Sequence, residues 1–73
     1  MSPLEQLVYS YVRAMEQFEQ TDDPGYRKTS GMFRERLRRQ GVSVLDWTNG
    51  QEEVTVRLKK DDEVSLLRLP RAR

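Results

Sequence analysis

The sequence predicts an α+β domain in which a two-helix hairpin packs on a three-stranded antiparallel β-meander (ααβββ). Three observations carry this expectation. Apolar side chains recur at helical spacing up to Gly41 and alternate like strands beyond it. Ser2-Pro3 and Asp23-Pro24 each put a capping residue before a proline, which marks two helix starts. Asn49-Gly50, between runs rich in Val, Thr and Leu, is the strongest short-range hairpin signal. Residues 1–70 are expected to form one small domain, with 71–73 as a basic tail.

The first helix is expected over about residues 3–20. Ser2 and Glu5 have the spacing of a capping box, and Pro3 occupies the first turn, where a missing N–H costs nothing. Leu4, Val8, Tyr11, Met15 and Phe18 then step by four and three, with Leu7 and Ala14 beside them. At about 100° per residue these form one apolar stripe, and Gln6, Ser10, Arg13, Gln17 and Gln20 face away. In the second helix Tyr26, Ser30, Phe33 and Leu37 form a thinner stripe. Gly31 weakens it, because glycine in a helix interior costs about 1 kcal/mol relative to alanine. Two short helices divided at Ser30-Gly31 are the alternative. Gly41 suits a left-handed stop, and Arg36, Arg38 and Arg39 favour the negative end of the helix dipole.

Beyond Gly41, Val42–Trp47 and Glu53–Lys59 read as paired strands. With Asn49 and Gly50 as the loop, Leu45 would lie opposite Val54 and Trp47 opposite Glu52. Leu45 and Trp47 would then share one face with Val54, Val56 and Leu58. A turn at Lys60-Asp61-Asp62 leads to a third strand, Glu63–Leu69. Its apolar phase changes from Val64 and Leu66 to Leu67 and Leu69, which calls for a bulge or for cover on both faces. Pro70 ends it.

Composition narrows the chemistry. The 73 residues contain neither Cys nor His, so disulfides, thiolate zinc sites, cysteine nucleophiles and the usual neutral-pH general base are excluded. The adjacent acids (Asp22-Asp23, Glu52-Glu53 and Asp61-Asp62-Glu63) fall at turns or strand ends, where such residues cap helices or stay solvated. Phosphate-loop, dinucleotide and serine-nucleophile patterns do not occur. No catalytic residue, cofactor or metal site is therefore expected. No apolar run approaches the roughly 20 residues of a membrane helix, and the start of the chain lacks a signal-peptide layout. A cytoplasmic setting without membrane contact is the expectation.

Charge falls in blocks. Residues 1–23 set Arg13 against five acids, whereas residues 24–41 set six cations against Glu35 alone. Arg27, Lys28, Arg34 and Arg38 make a basic face on the second helix, with Gly31 between them leaving room for a backbone or a phosphate. Tyr9, on the polar side of the first helix, Met32, off the second stripe, and Val42 and Val44, facing away from Leu45 and Trp47, are apolar groups expected at the surface.

These features give two functional expectations. The first is a non-enzymatic protein-interaction module: an adaptor, inhibitor or regulatory subunit that binds a larger protein or pairs with itself through the edge strand. A domain this small buries only about 60% of its unfolded surface, and association offsets that shortage. The alternative, using the basic face of the second helix, is a nucleic-acid-binding module or a winged-helix-like transcription-regulatory one. That fold requires a third helix, which would arise here if the second one broke at Ser30-Gly31.

Overall fold

A computed structural model describes residues 2–71. The chain is α+β: helices α1 (Pro3–Thr21) and α2 (Pro24–Arg39) precede strands β1 (Val42–Asn49), β2 (Glu53–Lys60) and β3 (Glu63–Pro70). Contacts among the described residues gather into two compact units that divide between Gln40 and Gly41.

In the helical unit the capping box closes as its spacing predicts. The Glu5 N–H donates to Ser2 Oγ and the Ser2 N–H to Glu5 Oε1, both at 3.2 Å. Hydrogen bonding from the Ser2 N–H first, and from the Ser2 side chain second, holds the Glu5 carboxyl below its ordinary value of 4.5. A carboxyl depressed in the fold adds stability above its unfolded value, and that stability is lost as pH falls through the folded one. Ser2→Ala, which removes one bond of the box, is expected to cost about 1 kcal/mol. It should also move the NMR-titrated Glu5 midpoint partway back towards 4.5. An unmoved midpoint would show that the box does not govern this carboxyl.

The turn between the helices is two residues long. Asp22 adopts the left-handed conformation (φ 55°) and its N–H donates to Phe18 O at 2.7 Å. Asp23 then caps α2, its Oδ1 accepting from the Gly25 N–H at 2.8 Å. Helix α2 runs unbroken through Ser30-Gly31, so the extra helix that a winged-helix reading requires does not form. Ser30 is buried, and its hydroxyl donates to Arg27 O at 2.8 Å. That bond lets a serine occupy an apolar stripe without an unsatisfied hydroxyl. Gly41, just past the Gln40 cap of α2, has φ 75°, the left-handed stop its position suggests.

Burial on α1 is wider than the expected stripe. Val8 and Ala14 are buried as expected, but so are Val12 and Glu16, while Tyr11, Met15 and Phe18 are only half-covered. Tyr9 is half-buried rather than exposed, because cover on this helix reaches past the stripe to its side.

The sheet has the order β1-β2-β3 with antiparallel neighbours. Its buried side chains, Val42, Val54, Val56, Leu58 and Leu69, fall on one face by register. The β1–β2 register departs from the sequence expectation. Trp47 lies opposite Val56, and a bulge falls between Val44 and Asp46. Neither Asn49 nor Gly50 has the positive φ that a tight Asn-Gly turn demands, and Asn49 is the last residue of β1. The bulge flips the side-chain phase upstream of it. Val42, 2% exposed, and half-buried Val44 thus join the Trp47 face, against expectation, and Leu45 is displaced to the surface. The conformation with positive φ at both central residues appears instead at Asp61 (50°) and Asp62 (67°), between β2 and β3.

Strand β3 resolves its two-phase pattern without a bulge. It pairs with β2 in one continuous register from Glu63 to Pro70. Leu67 and Leu69 lie opposite Val56 and Val54, while Val64 and Leu66 fall on the other face. Arg71 is fastened: its N–H donates to Glu52 O at 2.9 Å, and its guanidinium reaches Gly50 O (2.7 Å) and Asn49 Oδ1 (3.0 Å). Ala72 and Arg73 lie outside the described residues.

Candidate interaction surfaces

Two surfaces emerge, one in each unit. The first is the free side of β3. In an antiparallel ladder, successive residues turn their backbone groups alternately towards and away from the partner strand. The bond from the Arg71 N–H to Glu52 O fixes the phase. Residues 63, 65, 67 and 69 therefore turn to β2, while Val64, Leu66 and Arg68 turn outward. Pro70 falls at an outward position, where its missing N–H interrupts no bond to β2. The side chains of Val64 and Leu66 are 59% and 68% exposed. Their register neighbours on β2 are Lys59 and Arg57, and Arg57 donates to Asp46 across the same face. The other edge, β1, carries the bulge, which disrupts any ladder along it.

The second surface is a groove between α1 and α2 with a volume of about 230 Å³. Tyr11, Met15 and Phe18 on α1 line one side, and Arg27, Gly31 and Arg34 on α2 the other. A Cβ built on Gly31 would meet no atom within 4 Å, so the groove is open at that point.

No family model, curated protein or solved structure matches this chain. Its surfaces must be read from their own chemistry.

The four residues of the expected basic face divide. Arg38 is committed to Glu35 through a fork of two bonds, at 2.9 and 2.7 Å, with Arg39 at 3.7 Å from the same carboxylate. The hydrogen bond from Arg38 holds the Glu35 carboxyl below its usual range and raises the Arg38 guanidinium in turn. Arg27, Lys28 and Arg34 are exposed, and none of them forms an ion pair among the described residues. Arg36 lies over the Phe33 ring, 5.9 Å from its centre. Met32 is exposed as expected, whereas Val42, Val44 and Tyr9 are not.

Tyr11, Met15 and Phe18 belong to the apolar stripe expected on the first helix, and they are half-buried. Their spacing is the same whether a stripe is fully or half covered, so no sequence signal separates a groove wall from a core. The double phase of β3 was the legible sign of its exposed pair. Among the described residues no three acids gather as a metal site, and no helix is long and apolar enough to cross a membrane.

Proposed function

We propose that the chain is a non-enzymatic, cytoplasmic protein-interaction module that takes up an extended partner strand along β3. One observation carries this reading: Val64 and Leu66 stand exposed on a regular edge strand whose outward backbone groups lie beside them. Strand addition uses both properties, since main-chain bonds supply affinity and alternate side chains supply selectivity. The lack of Cys and His supports a binding role over a catalytic one.

Hydrogen exchange at the amides of Val64, Leu66 and Arg68 tests the reading, together with light scattering across concentration and affinity purification with identified partners. An engaged strand, from a second copy or from a larger protein, is expected to slow exchange at those three amides. Leu66→Lys should abolish the association and leave the circular dichroism spectrum unchanged, because the side chain is exposed. Association that persists in Leu66→Lys while the three amides exchange freely would overturn the assignment.

A further inference from the structure

We infer that the α1–α2 groove is a second, separate binding site, whose ligand is an acidic amphipathic helix of a partner protein. Its walls belong to the helical unit alone and owe nothing to β3.

Arg27, Gly31 and Arg34 succeed one another on α2 at spacings of four and three, and so share one side of the helix. Seven residues separate the two arginines, about 10.5 Å along a helix axis at 1.5 Å per residue. A neighbouring helix has the same rise, so acids seven residues apart on it can meet both guanidinium groups at once. Gly31 lies between the arginines with open space where a side chain would be. A partner helix can approach closely there without displacing anything.

The opposite wall explains why the ligand must also be apolar. Tyr11, Met15 and Phe18 repeat at four and three and are half-buried, so they present a continuous apolar strip. The volume, about 230 Å³, exceeds the roughly 150 Å³ of a dry cavity that holds benzene, leaving space for a large apolar side chain. Methionine adapts its shape to such a guest. A helix with an apolar stripe flanked by acids matches both walls, the mode in which amphipathic helices seat themselves in grooves.

A nucleic-acid strand fits less well. Its phosphates ask for a continuous row of cations. Here the row is interrupted by Ser30 and Gly31, and Arg38 is held by Glu35.

The test is a selection on the full chain from a displayed library of amphipathic helices of about 18 residues, long enough to hold helical structure. Their polar positions are randomised. Enrichment of peptides with acids at i and i+7 beside an apolar stripe is the expected outcome. The best peptide should bind Arg27→Glu/Arg34→Glu at least tenfold more weakly, and exchanging its two acids for lysine should restore affinity to that variant. Leu66→Lys should bind the peptide normally, which separates this site from β3. Gly31→Leu fills the groove and should also block binding, so the site can still be judged if the charge-reversed variant does not fold. Enrichment of basic or uncharged sequences, affinity unchanged by Gly31→Leu, or binding of an oligothymidine in place of the peptides would each overturn the inference.

Discussion

Leu69→Ala is expected to cost about 2–5 kcal/mol, the range for truncating a buried leucine. Leu69 is 0% exposed and pairs with Val54, which is equally buried. Removing its branched end leaves a hole lined by stiff β-branched neighbours, whose single preferred rotamers limit collapse into the space. A small scaffold rarely holds more than about 3–5 kcal/mol in total. The substitution should therefore leave much of the population unfolded at room temperature. Urea unfolding followed by Trp47 fluorescence reads this directly, since Trp47 lies opposite Val56 in the same sheet. Leu66→Ala is the matched control: with that side chain 68% exposed, its cost should stay within about 0.5 kcal/mol. Equal midpoints for the two variants would refute the assignment of buried and open faces.

Gly50→Ala is expected to be the most damaging of the glycine substitutions, at about 1–3 kcal/mol, the scale of forced overpacking. A Cβ on Gly50 would stand 2.8 Å from Glu53 O, a backbone atom that cannot swing away. That same oxygen accepts the Gly50 N–H at 2.9 Å, so relieving the clash strains the bond that closes the turn. Gly31→Ala supplies the opposite sign. With nothing within 4 Å of its new methyl, it should gain up to about 1 kcal/mol of helix propensity. Thermal melts of the two variants should shift in opposite directions. A neutral Gly50→Ala would mean that the β1–β2 turn relaxes without cost.

The legible parts of this chain were those fixed by local chemistry. Ser2, Pro3 and Glu5 cap α1, Asp23 and Pro24 start α2, and Gly41 stops it, each through contacts within a few residues. Long-range pairing escaped the sequence. Asn49-Gly50 has the composition of a tight hairpin, yet the register that puts Trp47 against Val56 takes precedence and draws Asn49 into the strand. Once the ladder shifts, only a bulge brings Val42 and Val44 to the buried face, and no residue at the bulge announces it. Helix α2 is continuous, as the two-helix expectation has it, and the alternative break at Ser30-Gly31 does not occur, because one glycine's cost is small beside fifteen helical neighbours. In the candidate sites, charge type was readable but its commitment was not. Arg38 and Arg34 look alike in sequence, and only Glu35 beside Arg38 in space distinguishes them.

The bulge near Leu45 limits how far this sheet can be extended. A fibre needs the far edge of one copy to accept the near edge of the next, so both borders must be straight. Here one border is straight and the other is kinked. Two copies meeting β3 to β3 would use up both straight borders at once, an isologous contact that closes on itself. Growth would stop at two, so an adhesive border need not lead to polymerisation.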